Sequence, residues 1–230
     1  MRVVLFDIDG TLLKSEGAGR ISMESALTAV FGAAGSADYR YDGKTDRQIV
    51  RDTMRLEGFS DEEIDGKMED LLREYLERLE AQLASGTRTV HVFVGVRELL
   101  DALELKDNIV LGLLTGNVEA GARAKLGAAG IDMSRFRVNA FGSDNESRPE
   151  LPAVAQRRAN KLLGTDLQGN RVIVIGDTPA DIRCGEKIGA RAIGVATGRY
   201  SVEELAQHDP YAVFETLADT ATVMETILNE

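Results

Sequence analysis

The chain is 230 residues long, 43% hydrophobic and 28% charged, with no low-complexity tract, which excludes a disordered chain and leaves room for one large domain or a core with a smaller partner. A formal net charge of −11 argues against nucleic acid or an anionic membrane surface as partner, so an anionic ligand must be attracted locally. The single cysteine, Cys184, can form no intrachain disulfide, and the N-terminal apolar run stops at Asp7 after four residues, which points away from a signal peptide or membrane span and toward a cytoplasmic setting.

The first element is "VVLF" (3–6), an apolar run with no polar face, as expected of a strand buried on both sides. No convincing strand follows for about ninety residues, and helical spacing dominates. "ISMESALTAVFG" is one helix, "TDRQIVRDTMRLEG" a second, and a third starts where Ser60 and Glu63 fit a capping box and runs through Ile64, Met68, Leu71, Leu72, Tyr75, Leu76, Leu79 and Leu83. On that helix Glu69 with Arg73 and Glu74 with Arg78 are spaced for i,i+4 pairs on a solvated face. From residue 95 onward, runs at 109–114, 138–141, 171–175, 192–195 and 212–214 alternate with helical patterns. That alternation predicts an α/β fold, a parallel sheet with helices on both faces, interrupted by a helical insertion over 15–87; the core is then 1–14 together with 88–230.

Ligands of open parallel sheets bind beyond the carboxyl ends of the strands. Those ends carry Asp7, Asp9, Gly10 and Thr11 after the first strand and Thr115, Gly116 and Asn117 after the second; "FGSDNESRPE" follows the third, and Gly176, Asp177, Thr178 and Asp181 the fourth. Asp7, Asp9 and Asp177 at one edge would repel one another unless a cation neutralised them. A hard divalent ion with oxygen ligands, most simply Mg²⁺, meets that need and fits phosphoryl chemistry.

"DIDGT", "LLTGN", a basic residue in a later loop and "GDTPAD", each at a strand end, together resemble the four motifs of the haloacid dehalogenase superfamily. The resemblance implies a Rossmann-like core with an inserted C1-type helical cap domain. It makes Asp7 the nucleophile that forms an aspartyl phosphate, and Asp9 the acid that protonates the leaving group and then the base that activates water. Thr115, with Gly116 and Asn117, would hold the phosphoryl oxygens, and Arg148 would stabilise the transition-state charge. Mg²⁺ would be held by Asp7, the Asp9 carbonyl and Asp177, with Asp181 behind. The third-motif residue is usually a lysine before a proline; here Arg148 precedes Pro149, and Arg157, Arg158 and Lys161 are the fallback donors. In the cap, "YDGKTDRQI" sits where relatives select substrate, so Gly43, Lys44, Thr45, Asp46 and Arg47, then Arg20, are the specificity candidates.

Each motif also has a plainer reading. Asn117 can cap a helix, Thr45 can cap the helix beginning at Asp46, and Thr178, Pro179 and Asp181 make a good helix start. Cys184 reads as a packed side chain, and His91 and His208 lack metal-ligand spacing. Within the superfamily, Asp9 argues against dehalogenases and phosphonatases, and "EGAGRISM" lacks the histidine of the sugar-phosphate mutases. What remains is a Mg²⁺-dependent phosphatase of the phosphoglycolate phosphatase type acting on a small organic phosphate. The alternatives are a phosphomutase or nucleotidase of the same superfamily, or a non-catalytic phosphoacceptor.

Overall fold

The computed structural model describes residues 1–86 and 88–229; Thr87 and Glu230, the last residues of the expected insertion and core, lie outside the described residues. Six strands form one parallel sheet: β1 (Arg2–Phe6), β4 (Ile109–Thr115), β5 (Val138–Phe141), β6 (Val172–Gly176), β7 (Arg191–Val195) and β8 (Ala212–Phe214), in the order β5-β4-β1-β6-β7-β8. Each expected run became a strand, within a residue or so of its expected ends.

Alternation along β1 explains why the run shows no polar face. Val4 and Phe6 enter the apolar layer beneath α4 (Val96–Glu104), α5 (Glu119–Ala128) and α9 (Thr220–Leu228), while Val3 and Leu5 enter the opposite layer with α6 (Leu151–Leu163). β1 is central, with β4 on one side and β6 on the other, so chain order reverses at its carboxyl end and opens the crevice that Asp7 enters.

Between β1 and β4 lie α1 (Ala18–Phe31), α2 (Asp46–Leu56) and α3 (Asp61–Ala84). They bury their own apolar cluster, including Met23, Leu27, Met54, Leu71 and Leu79, joined from the sheet side by Val118. The Ser60–Glu63 capping box is present, and Gly32 at φ 79° ends α1 with its N–H on Thr28 O, a conformation glycine adopts without strain. Glu74 and Arg78 pair as spaced. Arg73 instead takes Asp70, three residues away, because Glu69 is drawn across to Arg47 of α2.

A second, two-stranded antiparallel sheet joins β2 (Leu13–Lys14) to β3 (His91–Val92) where the chain leaves and re-enters the core. Two residues per strand are too few to show a period, so this stem was not expected from the sequence. The shorter helices α7 (Pro179–Cys184) and α8 (Val202–Ala206) complete the fold. No described helix is long and apolar enough to cross a membrane.

Candidate active site

The ends of β1, β4 and β6 and the segment after β5 meet the inserted helices around a cavity of about 300 Å³. Asp7, 6% exposed, leaves β1 with its backbone N–H on Ile175 O, so the neighbouring strand fixes where its carboxylate begins. Its Oδ1 lies 3.0 Å from Arg148 Nη2, and the same nitrogen donates to Asp181 Oδ1. Asp181 also accepts on Oδ2 from the Thr178 N–H at 3.0 Å and hydroxyl at 2.6 Å, while the Thr178 hydroxyl accepts from the Asp181 N–H at 3.2 Å. The helix-start reading of Asp181 is therefore realised as a capping box.

Asp177 Oδ1 accepts from Thr11 Oγ1 at 3.0 Å, and glycine backbone surrounds its head: a Cβ on Gly10 or Gly198 would stand 2.3 or 1.8 Å from Oδ2. Gly10 also has φ +88°, so the turn after Asp9 needs glycine for both its shape and its space. Burial pushes the Asp7 carboxyl up to about 7, with Arg148 pulling it down and Asp181 and Asp9 pushing it up. Burial, then Asp181 and Asp7, holds Asp177 well above the usual carboxylate range. Burial opposes the Arg148 charge, yet Asp181 and Asp7 hold that guanidinium above its ordinary range.

The donor chemistry fits a divalent metal. Asp7, Asp177 and Asp181 each bring a carboxylate oxygen within 4.8 Å of the others, all three are buried, and among the described residues neither Asp7 Oδ2 nor Asp177 Oδ2 receives a hydrogen bond. Asp181 already serves Arg148 and Thr178, so the unpartnered oxygens belong to Asp7 and Asp177.

A family model described as haloacid dehalogenase-like hydrolase matches residues 4–195. The chain belongs to that family. It is 30% identical over 207 residues to a phosphoglycolate phosphatase of Xylella fastidiosa (strain 9a5c), covering 88% of this chain and 83% of that protein. It is also 30% identical over 137 residues to "Probable phosphatase IndB" of Dickeya dadantii (strain 3937), covering 60% of this chain and spanning only 57% of the length of that relative. Among solved structures, a hydrolase from Pseudomonas syringae superposes with TM-score 0.73 over 100% of both chains at 21% identity, a likeness of fold.

In this haloacid dehalogenase-like chain Asp9 does not turn toward the other carboxylates. Its Oδ2 accepts from Asn117 Nδ2 at 2.8 Å and from Lys125 Nζ at 2.6 Å. Asn117 is not the helix cap; Val118 precedes α5, and the amide joins Thr115 Oγ1 at 2.9 Å to Asp9 instead. The wall opposite is helical. Arg20 lines it, but its guanidinium already holds Glu24, Ala37 O and Tyr39 O and stacks on Tyr41. Lys44 lines it beside Asp52, 3.4 Å away, and Tyr39.

Thr45 is fully buried away from the cavity wall. Its hydroxyl donates to Glu146 O at 2.7 Å and accepts from Gln48 N, so it caps α2 and pins the loop. Arg47 faces a separate cleft between α3 and α5. Gly43, Gly116 and Asp46 line the cavity, and Asp46 is bonded to the β4 loop through Gly116 O and the Val118 N–H. The fallback donors Arg157, Arg158 and Lys161 are exposed, with Arg158 committed to Asp144. His91 sits beside Glu16, and the Cys184 thiol donates to Asp181 O.

Lys125 and Tyr75, both cavity-lining and nearly wholly buried, were not among the expected site residues, Tyr75 having been read only as an apolar position of the third helix. The signal for Lys125 is a lysine on the inward face of α5, beside Ala122 and Leu126.

Proposed function

We propose that this chain is a divalent-metal-dependent phosphomonoester hydrolase, with Mg²⁺ as its ion and a small phosphorylated metabolite as its substrate. The observation that carries this reading is the contrast between two carboxylates two residues apart. Asp7 is buried with a guanidinium on one oxygen and, among the described residues, no hydrogen-bond donor on the other, whereas Asp9 is held by an amide and an ammonium. One environment suits a nucleophile and the other a proton shuttle.

In this mechanism the Asp7 carboxylate attacks phosphorus and the bond to the leaving oxygen breaks, with a proton passing from Asp9 to the departing alkoxide. Water then attacks the phosphorus of the acyl phosphate, Asp9 takes its proton, and inorganic phosphate leaves with Asp7 restored. Arg148 and Thr115, with the backbone at Gly116, hold the charge that builds on the phosphoryl oxygens. Asp7, Asp177 and the Asp9 carbonyl would hold the metal, with Asp181 keyed to Arg148 behind them; when bound, the ion neutralises phosphate and carboxylate charge.

Residues 15–87 act as a cap that encloses the leaving group and excludes water, with Lys44, Gly43 and Arg20 on its inner wall. The relatives named as phosphatases support this choice of reaction. Turnover of an aryl phosphate in Mg²⁺ by the wild type, lost in Asp7→Asn, is the test; retained turnover in that variant sinks the assignment. A panel of phosphorylated metabolites then identifies the substrate.

A further inference from the structure

Lys125 is 4% exposed, and a lysine is almost never buried so completely without partners that justify it. Its ammonium donates to Asp9 Oδ2 and to Asn117 Oδ1, each at 2.6 Å. The second contact fixes more than itself. An ammonium can only donate, so the Asn117 oxygen must face Lys125, and the amide nitrogen is thereby turned to Asp9 and Thr115. One charge thus sets the direction of two side chains.

The rest of the wall is arranged around that ammonium. Gly19 of α1 passes so close that a Cβ there would stand 3.2 Å from Lys125 Nζ, and the inserted helices thereby keep water from it. The Asp9 side chain, by contrast, is 42% exposed toward the cavity, and among the described residues its hydrogen-bond donors are Lys125 and Asn117. A plain core lysine would need none of this, since an apolar residue would fill the inward face of α5 beside Leu126.

Building on the reaction proposed above, we propose that Lys125 is the positioning residue of the acid–base carboxylate. It clamps one Asp9 oxygen, directly and through Asn117, so that the other oxygen is presented to the leaving group. Lys125 touches neither substrate nor phosphorus in this role and acts through Asp9.

The test is a double-mutant cycle with an alkyl phosphate in Mg²⁺. Lys125→Met keeps the apolar stem and removes the ammonium; kcat falls about tenfold to a hundredfold, as a misdirected proton donor costs, and KM stays within about twofold. In the Asp9→Asn background the same change alters kcat by less than about twofold, because the group it positions is already gone. Equal losses in the two backgrounds, or no loss in the wild-type background, overturn the proposal.

A second readout is independent of the folded fraction. Dinitrophenolate leaves without a proton, so the burst of dinitrophenol release from Lys125→Met is spared while alkyl-phosphate turnover drops, and the ratio of the two falls tenfold or more. An unchanged ratio overturns the proposal. If the methionine variant does not fold, Lys125→Gln, with a donor on a shorter stem, carries the same measurements. Loss of the phosphatase reading is seen separately, as a wild type without turnover or an Asp7→Asn variant with it.

Discussion

Replacing Arg148 by methionine removes the guanidinium that lies between Asp7 and Asp181 and leaves an apolar side chain in its place. Arg148 is 4% exposed, so the loss falls under the rule for breaking a buried ion pair from one side, about 3–5 kcal/mol. For a chain of this size each kcal/mol moves the melting temperature about 2–4 °C, which gives a fall of about 6–20 °C in a metal-free buffer. Mg²⁺ at about a hundred times its Kd returns about 2.7 kcal/mol by binding only the folded state, so the ion should recover about half to nine-tenths of the loss. Thermal unfolding of both proteins with and without Mg²⁺ measures all four values, and under the mechanism proposed above turnover should fall about 10²–10³-fold, the scale for losing one donor to the phosphoryl oxygens. Arg148→Lys keeps the charge but not the fork and should fall between. A metal-free melting temperature within 2 °C (about 1 kcal/mol) of the wild type would refute the argument that this arginine neutralises the site.

Three further outcomes follow from contacts in and around the cavity. Gly10→Ala forces a Cβ against Asp177 at a φ of +88°, and calorimetry should show Mg²⁺ binding weakened about tenfold or more, the scale of losses for displaced metal-site groups; unchanged affinity would mean Asp177 is not a ligand. Burial raises the Asp46 carboxyl to about 6 from 3.8, with Lys125 and the Val118 N–H pulling it down, so the folded chain holds the proton longer than the unfolded one. Stability then falls as pH rises through that window by about 3 kcal/mol, and Asp46→Asn should lack that slope in urea titrations; a wild-type-minus-variant difference that is flat with pH contradicts it. Glu146→Gln weakens the 2.6 Å contact to Arg51, whose pair is worth roughly 1 kcal/mol, so amide exchange over 43–52 should quicken about fivefold, and unchanged exchange would show that the pair does not hold the loop.

The sheet was readable because its strands are buried on both faces, as in Val3 to Phe6, and that leaves a continuous apolar run. The polar strand ends were readable for the complementary reason, since carboxylates directly after such runs cannot belong to the core. What escaped the sequence depends on distance. The β2–β3 stem pairs Leu13 with Val92, two residues at each end of the whole insertion, and no local pattern marks it. Lys125 carried no role in the helical pattern of α5, and only the fold brings it to Asp9, 116 positions earlier.

Thr45 shows the opposite case. Its hydroxyl was equally suited to substrate and to a helix cap, and only packing against Glu146 O decides for the cap. Arg47 was drawn the other way, to Glu69, by the crossing of α2 and α3. Arg148, chosen for its place before Pro149, lies against Asp7, while Arg157 and Lys161 remain exposed.

The central claim is that Asp7 carries the phosphoryl group. Protein quenched during turnover of a phosphomonoester in Mg²⁺ and reduced at once with borohydride converts any acyl phosphate to the alcohol, and peptide mass spectrometry locates the converted residue. The account predicts homoserine at position 7 in the wild type and none in Asp7→Asn. Steady turnover with no converted residue, or conversion at Asp9 or Asp177 instead, would contradict it.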